Sequence, residues 1–319
     1  MFKILIFGAG SVGTCLGTQL YAAGHDVSLY GGRKLKALTS QLVINGTAYA
    51  LPPKLTQLDT LPYNLILVTT KLPAVPEAIK QLHQALLNPQ VIGFVQNGLV
   101  ERQLYSDFAD HPGFITLSLF NGYRLAHDQM QVEESGLGIQ VENSSTGRKI
   151  CDLFQSSGIR CQLTDDIDSV RAKKLILNAA LNSLSALERK PMAALVQDSR
   201  LQGLLQHIVQ EGWSVLHSDY SLPSPEVIMH QVYQTALQVP DHYSSTYQDV
   251  VSKRPTEIDF LNGYIAKLGQ KKGIPTPYNQ EITQRIKALE RHPLKTKTIK
   301  EKTTEKRPSK NDLSIKHQL

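Results

Sequence analysis

Residues 2 to 8 read Phe-Lys-Ile-Leu-Ile-Phe-Gly, a nearly unbroken apolar run stopped by glycine, the pattern of a strand buried on both faces of a parallel sheet. Ser11 to Ala23 follows with good helix formers, apolar positions at Val12, Leu16, Leu20 and Tyr21, and Gly24 as a C-terminal stop. Asp26 to Tyr30 is the next strand. Strand, glycine turn, helix and strand within about 30 residues form a βαβ unit, whose handedness gives a parallel pair with the helix crossing over. The pattern continues with strand Leu65 to Thr70, a helix from about Val75 to Leu87 and strand Val91 to Val95. Asn45-Gly46 between short apolar stretches predicts a hairpin. Phe114 to Leu119, Met130 to Glu133, Leu137 to Val141 and Arg160 to Leu163 are further strands, with a helix near Ile150.

From about Asp166 the period changes to that of helices, predicted over Ser169 to Leu187, Leu195 to Ser218, Pro225 to Gln238, Pro255 to Lys272 and Asn279 to Arg291. Prolines 223, 225, 240, 275 and 277 punctuate them. The expectation is therefore an α/β domain over 1–166, a doubly wound sheet, followed by an all-α domain over 167–293. Residues 294–319 are Lys- and Thr-rich without apolar periodicity, and are expected to be a disordered basic tail.

Composition changes this picture little. The chain has 319 residues, 41% hydrophobic and 19% charged, enough apolar material for two cores. No apolar run approaches the roughly 20 residues that span a bilayer, and glycines interrupt the first, so neither an anchor nor a signal peptide is expected. Three cysteines, Cys15, Cys151 and Cys161, lack CxxC spacing; they fit reduced packing residues in a cytoplasm, and no metal site is expected. The net charge of +6 invites a nucleic-acid partner only until it is located. After Leu294 stand eight Lys/Arg against three Asp/Glu, which leaves about +1 for the body. Neither a nucleic-acid nor a membrane partner is expected.

The chemistry begins at Gly8-Ala9-Gly10-Ser11-Val12-Gly13, a GxGxxG between strand and helix. Its glycines serve the turn, backbone approach to a phosphate and close helix-strand packing, while the helix N-terminus offers N–H groups to a pyrophosphate. This is a Rossmann-type dinucleotide site. The second strand ends in Tyr30-Gly31-Gly32-Arg33-Lys34, without the carboxylate that would take the adenine-ribose hydroxyls. A guanidinium there suits a ribose 2′-phosphate, so the expected cofactor is NADP(H) with Arg33 as a ligand. In the helical half, Lys174, Asn178 and Asn182 are spaced by four among apolar neighbours and share one helix face, where they can converge on one ligand.

With Val68-Thr69-Thr70-Lys71, Gln96-Asn97-Gly98, Lys174-Leu175-Ile176-Leu177-Asn178, Ser245-Thr246-Tyr247-Gln248-Asp249 and Thr256-Glu257-Ile258-Asp259-Phe260 in this order, the chain resembles the ketopantoate reductases (2-dehydropantoate 2-reductases) over about residues 1 to 290. The resemblance implies hydride transfer from NADPH to the ketone of a 2-oxo acid, giving pantoate for pantothenate and coenzyme A synthesis. It implies Lys174 as general acid, Asn178 and Asn182 on the substrate's hydroxyl and carbonyl groups, and Ser245 on its carboxylate. Asn97 and Lys71 would lie beside the nicotinamide, Asn97 also touching substrate, and Glu257 would contact the cofactor. From the residues alone, Lys71 could equally be a surface lysine, Asn97-Gly98 a turn and Glu257 an acid in a helix's first turn. Two stretches depart from the family pattern: Arg189-Lys190-Pro191-Met192 lacks an expected asparagine, and Phe120-Asn121-Gly122-Tyr123-Arg124 replaces a small glycine-alanine segment. Another bulky 2-oxo acid therefore stays open as the substrate; the charge concentrated after Leu294 keeps open a silent NADP(H)-binding regulator, and a homodimer stays open as the assembly.

Overall fold

The computed structural model describes residues 1–31, 40–58, 60–99, 105 and 108–291. Arg33, Lys34 and the basic tail lie outside the described residues. Twelve strands and ten α-helices are defined among them. Strands β1 (Lys3–Phe7), β2 (Asp26–Tyr30), β5 (Lys54–Leu55), β6 (Leu65–Val68), β7 (Val91–Phe94), β8 (Phe114–Leu119), β11 (Ile139–Glu142) and β12 (Cys161–Thr164) make one sheet in the order β12-β11-β8-β7-β6-β1-β2-β5. All its pairs are parallel except β11 with β8. The period of two along β1 divides its side chains between two cores. Ile4 and Ile6 pack with Leu16 and Leu20 of α1 (Ser11–Ala22), whereas Leu5 and Phe7 pack with Val75, Ile79 and Leu82 of α2 (Val75–Gln84). Helices on both faces explain why the strand reads as continuously apolar.

A second sheet, β4-β3-β10-β9, lies on the α1 side and adds Leu42, Ile44, Leu125 and Met130 to the first core. It joins the hairpin β3 (Gln41–Ile44) and β4 (Thr47–Ala50) to β9 (Gly122–Ala126) and β10 (Gln129–Glu133). The pattern of apolar positions does not predict β9 or β5: β9 turns into β10 through His127-Asp128, without glycine, and only Leu125 of β9 is buried.

The helical half is α4 (Ile167–Glu188), α5 (Met192–Gln197), α6 (Ser199–Leu216), α7 (Pro225–Gln238), α8 (Ser245–Val251), α9 (Asn262–Lys272) and α10 (Pro277–Arg291), with α3 (Ser145–Ser156) belonging to the sheet. Its core gathers the apolar stripe of α4 with Leu205, Ile208, Val232, Ile265 and Ile286. Two expected helices are broken. The stretch 195–218 divides at Asp198, whose carboxylate accepts the Arg200 N–H and caps α6 instead of sitting inside a helix. The stretch 255–272 is not one helix either. The bend at Glu257 and a 3₁₀ turn, Ile258–Phe260, precede α9, and Glu257 accepts the N–H of Leu72 from the sheet domain at 3.1 Å. Glu257 is therefore not a first-turn helix acid. No described helix is long and apolar enough to cross a membrane.

Candidate active site

Four loops leave the carboxyl ends of neighbouring parallel strands: 8–10 after β1, 69–74 after β6, 95–99 after β7 and 120–121 after β8. Ligands of open α/β sheets bind beyond these ends. The glycine loop is fixed from both sides. Gly8 and Ala9 donate to the Tyr30 carbonyl at 2.8 and 3.3 Å, and Thr69 Oγ1 donates to the Gly8 carbonyl at 2.8 Å. A Cβ at Gly8, where φ is +106°, would lie 2.6 Å from Thr70, and one at Gly13 would lie 2.3 Å from Thr69 Oγ1. Those two glycines are required by the protein itself. Gly10 is not: a Cβ there would meet nothing nearer than the Gly8 carbonyl at 3.9 Å. Gly10 is the cap residue of α1, so its missing side chain leaves open space over that helix N-terminus, whose first turn carries no acid. Gly8, Ala9, Gly10, Ser11, Val12 and Gly13 thus fit a phosphate group at a helix N-terminus.

Gln96 ties two of the loops together, donating from Nε2 to the carbonyls of Val68 and Thr70 at 2.7 and 3.1 Å. Asn97 follows and meets the helical domain. Lys174 Nζ donates to Asn97 Oδ1 at 2.9 Å and to the Leu119 carbonyl, and sits 5.1 Å from the centre of the Phe120 ring. A cleft of 280 Å³ opens here, lined by Val12, Asn97, Phe120, Lys174, Asn178, Leu181, Asn182 and Ser245 among others. α4 starts at Ile167 because Asp166 caps it through the Ser169 N–H, and its repeat of about four residues aims Lys174, Asn178 and Asn182 into this cleft. Ser244, buried, caps α8 and donates to the Asn182 carbonyl at 2.8 Å, which sets Ser245 at the cleft wall. Among the described residues, the side chains of Asn178, Asn182 and Ser245 have no protein hydrogen-bond partner. Asn178 and Asn182 are half-buried and Ser245 is exposed at the cleft wall, so all three side chains are open to hydrogen bonding with a group in the cleft.

The Lys174 pKa is pushed down to about 7, first by desolvation and next by the charge of Arg171, while Glu257 opposes the shift. Burial pushes the Glu257 carboxyl above its usual range, against the Lys71 charge and the Leu72 N–H. The remaining expected residues stand at the margin. Lys71 is ion-paired with the buried Asp249, which Arg254 Nε also meets at 3.0 Å, and neither Lys71 nor Glu257 lines the cleft. Arg33 lies outside the described residues. The sequence reading missed Arg171, one turn before Lys174 on the same face, and the Leu119 carbonyl, a backbone group that no side-chain motif can announce. A second groove, of 390 Å³ between α6 and α7, shares no lining residue with the cleft.

The ketopantoate reductase PanE/ApbA family model matches residues 4–136, and the ketopantoate reductase PanE/ApbA C-terminal model matches residues 166–290. The 2-dehydropantoate 2-reductase of Vibrio cholerae is 29% identical over 294 residues, 90% of this chain and 98% of that one. That of Pyrococcus horikoshii is 27% identical over 90% of this chain and 97% of its own. Among solved structures, D-mandelate dehydrogenase with NADH and anilino(oxo)acetate superimposes with a TM-score of 0.82 at 23% identity, covering 91% of this chain and 99% of that one. A PanE/ApbA family ketopantoate reductase from Ralstonia eutropha JMP134 gives 0.81 at 24%, with the same coverage.

Proposed function

The chain belongs to the ketopantoate reductase family, and we propose that it reduces 2-dehydropantoate to pantoate with NADPH, with Lys174 as the proton donor. One observation carries the reading: a lysine with its pKa pushed down to about 7 stands in a cleft between a helix N-terminus suited to a pyrophosphate and a row of unpartnered Asn178, Asn182 and Ser245 side chains. Reduced nicotinamide, when bound, supplies the hydride. The protein's part is to receive the negative charge that then develops on the substrate oxygen. Asn97 and the Leu119 carbonyl hold two of the three ammonium N–H groups, leaving the third for that oxygen. A pKa near neutrality keeps the ammonium charged below about pH 7 and makes its proton easy to give up. Ser245, near the N-terminus of α8, suits the substrate carboxylate, and Asn178 and Asn182 suit its carbonyl and hydroxyl groups. Lys71, Glu257 and Arg33 are assigned to the cofactor side, Arg33 to a 2′-phosphate.

A second reading, reduction of a bulkier 2-oxo acid, is favoured by Phe120. Its ring stands against Lys174 where the sequence departs from the small family segment, and with Leu177, Leu181 and Met192 it gives the cleft an apolar wall. The test is cofactor oxidation with ketopantoate, phenylglyoxylate and other 2-oxo acids, using NADPH and NADH in parallel. Preferential turnover of ketopantoate with NADPH supports the first reading; preference for an aryl 2-oxo acid supports the second. Cofactor binding without turnover of any 2-oxo acid would remove both.

A further inference from the structure

Arg171 is placed unlike any other arginine among the described residues. It is buried, at 6% exposure, one helical turn before Lys174 on α4. A buried guanidinium has five N–H groups to satisfy. This one donates from Nη2 to the Gly98 carbonyl at 3.2 Å, and it meets the exposed Asp168 only at 3.7 Å. The Tyr105 hydroxyl also faces the guanidinium, while its Nε has no hydrogen-bond partner among the described residues. So incomplete a set of contacts for a buried charge makes poor sense as a stabilising device, because desolvation then outweighs the attraction. It makes sense as a functional one.

The carbonyl it holds belongs to the turn that carries Asn97. A Cβ at Gly98 would come within 2.7 Å of the Phe260 carbonyl, so the turn is pressed between the 3₁₀ segment on one side and Arg171 on the other. Its side chain, Asn97, is then delivered to Lys174 Nζ at 2.9 Å. We propose that Arg171 is a positioning residue for Lys174: its guanidinium pins the Asn97-Gly98 turn against α4, and its fixed positive charge, one turn away, favours release of the lysine's proton. Desolvation and this charge act in the same direction on Lys174, and only Glu257 opposes them. Glu257 is itself flanked by Lys71 and Asp249, and Arg171 by Asp168 and the phenols of Tyr105 and Tyr220. On the other walls of the cleft stand the titrating groups Tyr123, Glu133, Glu134 and His242, of which Glu133 and His242 pair with each other at 2.5 Å.

The inference uses the proton-donor reading of Lys174, so its test begins with a readout that needs no substrate. In the full-length protein, the reactivity of the Lys174 amine toward limiting acetic anhydride, followed by peptide mass spectrometry across pH, gives its titration midpoint. Arg171→Gln, which keeps a donor for the Gly98 carbonyl without the charge, is expected to move the midpoint up by about half a unit or more, as one charge a turn away should. Arg171→Lys keeps the charge but not the fork; it should leave the midpoint in place while lowering kcat for 2-oxo acid reduction about tenfold with KM nearly unchanged. Arg171→Met serves where the Gln variant does not fold. An unmoved midpoint in a folded Gln or Met variant overturns the electrostatic part, and an unchanged kcat in the Lys variant overturns the positioning part. If no 2-oxo acid is turned over at all, the proton-donor reading fails while the midpoint still reports on Arg171.

Discussion

The glycine loop, which reaches the cleft through Val12, and the polar face of α4, which lines it, offer hydrogen-bonding groups in opposite ways. The loop uses backbone: free amides at the start of α1, positioned by glycines packed on Thr69 and Thr70 and by the Tyr30 carbonyl. The helix face uses side chains, Lys174, Asn178 and Asn182, mounted on a stripe whose other sides fill the core. Backbone amides have a fixed polarity and suit a group common to many ligands, a phosphate. Side chains can be exchanged one at a time, and a lysine can have its pKa moved by its neighbours. On the proposed function, the constant part of the chemistry lies in the sheet domain and the selective part in the helices.

Changes at the two regions should separate cleanly. The largest effect is expected from Lys174→Ala, which should lower kcat for 2-oxo acid reduction by roughly two to four orders of magnitude, the contribution typical of a proton donor. Its NADPH affinity, measured by calorimetry, should change little. Comparable affinity losses in both ligands would break the division of labour. Next come the glycines. Gly13→Ala forces a Cβ against Thr69 and should destabilise the fold by about 1–3 kcal/mol in denaturant unfolding. Gly10→Ala meets no protein atom closer than 3.9 Å and should leave stability near that of the parent while weakening NADPH about tenfold. The smallest of these effects is expected from Asn182→Ala. Its amide has no protein partner, so the melting temperature should stay within a few degrees, and KM for the 2-oxo acid should rise about tenfold.

Most of the architecture could be read from the chain because it rests on local periodicity and punctuation. The apolar run of β1, the glycine turn and the four-residue spacing on α4 each act within a few residues of themselves. What escaped depends on distant partners. Asp198 looks like one more polar helix residue until its carboxylate is seen capping α6. Glu257 reads as a first-turn acid, yet its carboxylate reaches the Leu72 N–H across 185 positions. Arg171 has no motif of its own; the three-residue step to Lys174 was the one available signal, and its hold on the Gly98 carbonyl belongs to tertiary structure.

The central claim is that a lysine of lowered pKa gives the proton that completes reduction. Sign and window follow from the direction of the shift. Reduction needs the ammonium form, so the rate should be flat below about pH 7 and fall as pH rises through it, well below the 10.5 of an ordinary lysine. Glu257→Gln removes the one negative charge that opposes the shift and should move that fall to lower pH. The most direct measurement is kcat for 2-oxo acid reduction against pH at saturating NADPH, in the parent and in Lys174→Ala. A descending limb near neutrality in the parent, lost in the residual activity of the variant, is the predicted result. The same limb in both proteins, or full turnover without Lys174, would contradict it.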